Sequence, residues 1–63
     1  MPIMNIHLME GRTEQQKAQL IEALTQAAID SIGAPRESIR VLLLEIPTTN
    51  FGIAGQTAAA LGR

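Results

Sequence analysis

The residue after the initiator methionine is the first candidate for chemistry in this chain. Met1 is followed by Pro2 and a short apolar run. Aminopeptidases remove an initiator methionine when the next residue is small, so the sequence predicts Pro2 as the working N-terminus. A free proline nitrogen is a secondary amine, and desolvation or nearby cations lower the pKa of an α-amino group below its ordinary value of ~8. Such an amine can act as a general base near neutral pH, whereas the ordinary alternative is a frayed chain end.

Two arginines are the second candidate feature. Arg12 stands after a glycine where the first predicted strand ends, and Arg40 stands inside an apolar strand, where a charge is costly unless it is paired. Because a guanidinium binds a carboxylate through two hydrogen bonds, two separated arginines and a neutral amine would suit a small dicarboxylate. The alternative is ordinary ion pairing with nearby carboxylates. Those carboxylates are Glu37 or Glu45 for Arg40, and Glu10 or Glu14 for Arg12.

Three predicted elements position these residues. Residues 3–9 carry apolar side chains on both faces, which is typical of a strand covered on two sides. Thr13 and Gln16 have the spacing of a capping box at the start of a helix, which Gly33 and Pro35 end. Residues 39–46 form a second, aliphatic strand. The apolar stripe of the helix consists of Leu20, Ile21, Leu24, Ala27, Ala28 and Ile32.

Strand, helix and strand in this order predict a βαβ unit with parallel strands and a right-handed crossover. The tail between Phe51 and Leu61 contains Gly52 and Gly55, and predicts a short β-hairpin. The predicted fold class is therefore α/β (α+β in some schemes), with one domain over residues 1–63. Since one helix covers only one face of a two-stranded sheet, we expect strands to pair across subunits and bare faces to pack together.

The composition also favours self-association. The 63 residues are 46% hydrophobic, with one aromatic residue, no Cys and one His, which excludes disulfides and argues against a metal site within one chain. The formal net charge of -1 and the lack of a basic run give little support to nucleic-acid binding. No apolar run has the length of a membrane span and no leader segment is recognisable, so we expect a cytoplasmic oligomer.

Short segments distributed along the chain together resemble one known family. In order they are Pro2-Ile3, Ile6-His7, Glu10-Gly11-Arg12, Ser38-Ile39-Arg40-Val41 and Phe51-Gly52-Ile53-Ala54-Gly55. This set resembles the 4-oxalocrotonate tautomerase family over essentially the whole chain. The resemblance implies a βαβ protomer with a C-terminal hairpin, assembled as a homohexamer built from dimers. It further implies an enol–keto tautomerase that acts on 2-hydroxymuconate-like dienols and uses no cofactor or metal.

The resemblance also implies residue roles. Pro2 would move the proton between the 2-hydroxyl group and C5 of the substrate. Arg40 would bind and polarise the carboxylate and carbonyl at the reacting end, and Arg12 would bind the distal carboxylate. Phe51 would form a pocket wall that keeps the dielectric low, and the residues of one site would come from more than one subunit.

Two further residues and two further functions stay open at this stage. Ser38 is a candidate substrate contact or a turn residue, and Ile53 lines the pocket near Phe51 or lies in an interface. The same scaffold hosts dehalogenation, hydration and decarboxylation by the same proline. If Met1 is retained, the nitrogen of Pro2 is an amide without useful basicity, and the chain would be a non-catalytic oligomer that binds a small dicarboxylate. Tautomerisation is preferred because no extra acidic residue of the kind expected for hydration is identifiable.

Overall fold

Two parallel strands and one helix form the body of the computed structural model, which describes residues 1–63. Strand β1 spans Ile3–Met9, helix α1 spans Glu14–Ile32 and strand β2 spans Arg40–Ile46. The parallel register places Ile3 opposite Arg40 and Met9 opposite Ile46. The predicted βαβ order with parallel strands is therefore confirmed, and β2 begins one residue later than the sequence predicts.

Both ends of α1 are set by local hydrogen bonds. The Gln16 amide donates to Thr13 Oγ1 at 3.1 Å, and the Thr13 amide donates to Gln16 Oε1 at 3.0 Å, which confirms the predicted capping box. At the other end Gly33 has φ 70° and donates its amide to the Ile29 carbonyl at 3.1 Å. This left-handed conformation favours glycine, which explains why the helix ends there.

The two faces of the sheet have different surroundings. Side chains alternate along a strand, so one face carries the half-buried Met4 and Ile6 of β1 together with Val41 and Leu43 of β2, beside α1. The opposite face is open. Its apolar members Ile3, Leu42 and Leu44 are 62%, 48% and 43% exposed. The helix thus covers one face only, as predicted.

The predicted hairpin is present as a short arm at the C-terminus. A 3-10 turn at Thr48–Asn50 leads from β2 into β3 (Gly52–Ile53), which pairs antiparallel with β4 (Gln56–Thr57). The two linking residues, Ala54 and Gly55, have φ 52° and 86°, the pattern of a type I′ turn that suits a two-residue hairpin. The antiparallel pairing extends one residue further, since the Ala58 amide donates to the Phe51 carbonyl at 2.7 Å.

The protomer does not enclose a large apolar core. Only Ala28, Ile39 and Ala58 are buried, and no large side chain is fully covered. The predicted apolar stripe of α1 is incompletely covered, because Ile32 remains 67% exposed. The radius of gyration is 14.6 Å, whereas a compact chain of this length would have about 11 Å. No helix combines the length and the apolar character needed to cross a bilayer.

Candidate active site

Pro2 and Arg40 lie side by side where the two strands begin. The Pro2 carbonyl accepts the Arg40 backbone amide at 3.0 Å, next to the Ile3–Arg40 register pair. Pro2 is half-buried, while Met1 before it is 79% exposed. The parallel register therefore brings the candidate base and the candidate polarising cation to one end of the sheet within a single chain.

The Arg40 guanidinium is held by main-chain carbonyls and has no carboxylate partner. Its Nη1 donates to the Glu37 carbonyl at 2.8 Å and to the Ile39 carbonyl at 3.2 Å. The alternative of an ion pair with Glu45 is wrong, because Glu45 Oε1 lies 2.7 Å from Lys17 Nζ. The Glu37 side chain forms no ion pair with Arg40 either. A guanidinium has five N–H donors, so those on Nε and Nη2 remain for an anion.

Ser38 lies in a 3-10 turn at Arg36–Ser38, and one residue separates it from the start of β2. Its hydroxyl donates to the Pro35 carbonyl at 2.8 Å, and its backbone amide donates to the same oxygen at 3.0 Å. A serine hydroxyl has one hydrogen, so in this conformation the side chain can meet a substrate only as an acceptor. Ser38 is thus a turn residue that closes the 3-10 turn onto Pro35, and its contact with substrate stays a prediction.

Arg12 lies at the opposite end of the sheet. It follows β1, whose seven residues rise by roughly 3.3 Å each and so separate it from Pro2 by more than about 20 Å of strand. Arg12 is exposed and forms no ion pair, so the alternative of pairing with Glu10 or Glu14 is wrong. Beside it is an open cavity of about 220 Å³. The cavity is lined by Leu8, Arg12, Gln16, Lys17 and Leu20.

Phe51 and Ile53 belong to the hairpin arm and are half-buried. The arm leaves β2 at the end where β1 also finishes: the Glu10 amide donates to the Ile46 carbonyl at 3.0 Å, and the Thr48 amide approaches Glu10 Oε1 at 3.4 Å. Within one chain the predicted site residues therefore fall into two groups. Pro2, Ser38 and Arg40 lie at the start of the strands, and Arg12 and the base of the arm lie at their ends.

Sequence reasoning missed the groups that surround the two arginines. A main-chain carbonyl such as that of Glu37 leaves no residue-type signal, since every residue carries one. The sequence predicts a capping role for Gln16 and gives no functional signal at Lys17, although both residues line the cavity next to Arg12. The i, i+4 spacing of Arg12 and Gln16 around a helix start is the one pattern that points to this proximity.

A family model described as "Tautomerase enzyme" matches residues 2–60. The chain belongs to the tautomerase family. It is 48% identical over 63 residues to a 2-hydroxymuconate tautomerase of Pseudomonas putida, with both chains covered completely. A solved structure of a 4-oxalocrotonate tautomerase isozyme from Methylibium petroleiphilum superposes with a TM-score of 0.93 at 50% identity, covering 98% of this chain and 100% of that one.

A third relative bears on assembly. A structure of a heterohexameric 4-oxalocrotonate tautomerase from Chloroflexus aurantiacus has a TM-score of 0.90 at 34% identity, covering 97% of this chain and 98% of that one. The resemblance to this family and the tautomerase fold are thus confirmed. The chain is an enzyme, an isomerase with tautomerase function.

Proposed function

We propose that this tautomerase converts 2-hydroxymuconate-like dienol dicarboxylates into 2-oxo-3-enoates, with Pro2 as general base and acid once Met1 is removed. The observation that carries the proposal is the junction of Pro2 and Arg40, where the Arg40 backbone amide donates to the Pro2 carbonyl and the Arg40 guanidinium has no carboxylate partner. The name of the Pseudomonas putida relative supports the choice of substrate.

The proposed reaction moves one proton and needs no redox step. The neutral Pro2 amine removes the proton of the 2-hydroxyl group, and the electron pair left on oxygen forms the C2 carbonyl. The C2–C3 double bond moves to C3–C4, and the C4–C5 pair takes the proton back from Pro2 at C5. Negative charge grows on the C2 oxygen during this step, where the free donors of Arg40 would stabilise it without reorganisation.

We further propose that the distal carboxylate binds to Arg12 of a second copy, with Phe51 and Ile53 as pocket walls and Ser38 as a lesser contact. This assignment is supported by the separation of Arg12 from Pro2 along β1 and by the lack of any carboxylate paired with Arg12. Holding both ends of the substrate would fix C3 and C5 against one nitrogen. The proposed enzyme is independent of metals and cofactors.

The proposed assembly is a homohexamer, a trimer of dimers. It is supported by the open apolar face of the sheet, the extended arm and the oligomeric state named for the Chloroflexus relative. Burying the open face would give the protomer the core that it lacks alone. Sedimentation should show a single species of six chains at micromolar concentration, and a stable folded monomer there would contradict the proposal.

The direct test of the function is turnover of 2-hydroxymuconate by protein whose intact mass shows a Pro2 N-terminus. We expect loss of dienol absorbance with formation of the conjugated ketone. Halide release, water addition or CO₂ release from suitable analogues at a higher kcat/KM than ketone formation would assign the chain to another activity of the same scaffold.

A further inference from the structure

A side-chain cluster joins α1 to the turn that precedes β2. Arg36 Nη1 donates to Glu22 Oε2 at 3.0 Å, and Arg36 Nη2 donates to Gln26 Oε1 at 2.6 Å. Glu22 and Gln26 are four residues apart and so present their side chains on one face of the helix. Gln26 is itself fixed, because its Nε2 donates to Asp30 Oδ1 at 3.0 Å. We call Arg36, Glu22 and Gln26 the Arg36 clamp.

The clamp acts on the short segment that holds the Arg40 guanidinium. Arg36 opens the 3-10 turn at Arg36–Ser38, and the carbonyl of the next residue, Glu37, accepts the 2.8 Å hydrogen bond from Arg40 Nη1. The Arg36 carbonyl in turn accepts the amide of Ile39, which is 8% exposed and anchors the start of β2. Hydrogen bonds therefore link α1 to the 3-10 turn through Arg36, and the turn to Arg40 through the Glu37 carbonyl.

The clamp contributes little to stability. The Arg36 and Glu22 side chains are 48% and 65% exposed, and ion pairs as open to water as this one have small net energies. The clamp has a larger effect on geometry. The Arg40 side chain has many rotamers, and the hydrogen bonds of its Nη1 group restrict where its Nε and Nη2 groups point. A shift of the Glu37 carbonyl would therefore redirect the donors that meet the substrate.

We propose that Arg36 is a positioning residue for the tautomerase reaction, which fixes the Glu37 carbonyl through Glu22 and Gln26 and thereby orients the Arg40 guanidinium. This inference rests on the role of Arg40 in the proposed function. Arg36 itself does not touch the reacting atoms.

The test is a double-mutant cycle in the assembled enzyme. Arg36→Met keeps an aliphatic side chain but removes the guanidinium, and Gln19→Met is the matched change at an exposed position of α1. We expect Arg36→Met to lower kcat by about 5-fold with KM nearly unchanged, because small misplacements of a group at the reacting centre are costly. Gln19→Met should leave both constants unchanged. In an Arg40→Ala background, Arg36→Met should have no further effect, since its consequence passes through Arg40.

The outcomes separate this inference from the proposed function. An equal loss of kcat in both backgrounds shows a general structural effect and overturns the positioning role, and so does an unchanged kcat in Arg36→Met. If Arg40→Ala alone leaves kcat unchanged, the proposed function fails and this inference fails with it.

A second pair of variants protects the test against misfolding of Arg36→Met. Glu22→Met and Gln26→Met together remove both acceptors of Arg36 on the helix side and leave Arg36 in place. We expect the same selective loss of kcat, and rescue when Arg36→Glu is combined with Glu22→Arg to rebuild the pair in the opposite sense. An unchanged kcat in the double variant at positions 22 and 26, with native mass and circular dichroism, overturns the inference.

Discussion

The two ends of the sheet are built in different ways. At the start of the strands, one backbone hydrogen bond joins Pro2 to Arg40, and two carbonyls hold the Arg40 guanidinium. At the far end Arg12 is exposed beside an open cavity, and the hairpin arm extends from a chain whose longest dimension is 42 Å. The end of the sheet that carries Pro2 and Arg40 is thus organised within one protomer, while the end proposed to bind the distal carboxylate is open in one chain.

This difference explains how so short a chain can form a site. In the proposed assembly, a chain would not need a core large enough to support both halves of a pocket, because the two halves would come from different copies. The same assembly would cover the exposed side chains of the open face, so stability and substrate binding would depend on one another. The four predictions that follow test the two ends separately, from the largest effect to the smallest.

Retention of Met1 should have the largest effect. An amide nitrogen at Pro2 cannot accept the proton, so the general-base contribution of about 10²- to 10⁴-fold should be lost. Two preparations, one with Met1 and one without, each confirmed by intact mass, should differ by that factor in kcat/KM on 2-hydroxymuconate. Pro2→Ala without Met1 is the control, since it leaves a primary amine in nearly the same place and should keep part of the activity. Equal turnover by the two preparations removes Pro2 from the mechanism.

Arg40→Ala should come next, with a loss in kcat on the order of 100-fold, because the lost donors act on charge that develops in the transition state. Steady-state kinetics and sedimentation on the same sample check this result. Lys17–Glu45 is the ion pair that joins α1 to β2, so Glu45→Gln serves as a control for general loosening between the helix and the sheet. A loss no larger than in that control would mean that Arg40 has no special role.

Arg12→Ala should mainly raise KM, by about 10-fold or more, because a carboxylate bound equally in ground and transition states affects binding rather than the chemical step. The shared site also predicts complementation. Co-refolding Arg12→Ala with Arg40→Ala should create sites that combine an intact Arg40 from one copy with an intact Arg12 from the other. We expect the mixed oligomer to be more active than either parent variant. An activity equal to the mean of the two parents would show that each site lies within one chain.

Much of the protomer follows from local sequence signals, and the site follows only in part. The capping box at Thr13, the stop at Gly33 and the strand over Ile3–Met9 depend on neighbouring residues, so they could be predicted from the sequence. The partners of Arg40 could not, because a carbonyl can come from any residue and only the turn geometry selects Glu37. The predicted stripe on α1 includes Ile32 although it is 67% exposed in the protomer, since periodicity marks apolar faces without showing which neighbour covers them.

The smallest expected effect concerns the hairpin arm. Ala54 has φ 52°, a conformation that costs a residue with a Cβ about 1–2 kcal/mol, whereas glycine adopts it freely. Glycine also adds freedom to the unfolded chain, worth about 0.4–1 kcal/mol, so Ala54→Gly should stabilise the protein by roughly 0.5 kcal/mol net.

Ala60→Gly is the matched control. Because Ala60 lies outside the left-handed region, this substitution should only destabilise the protein. Denaturant midpoints must be compared at equal protomer concentration, since unfolding is coupled to dissociation. A stabilised arm with unchanged kinetics would show that the turn strain is a local cost of hairpin formation, and a fall in kcat/KM would show that Ala54 itself contributes to the pocket.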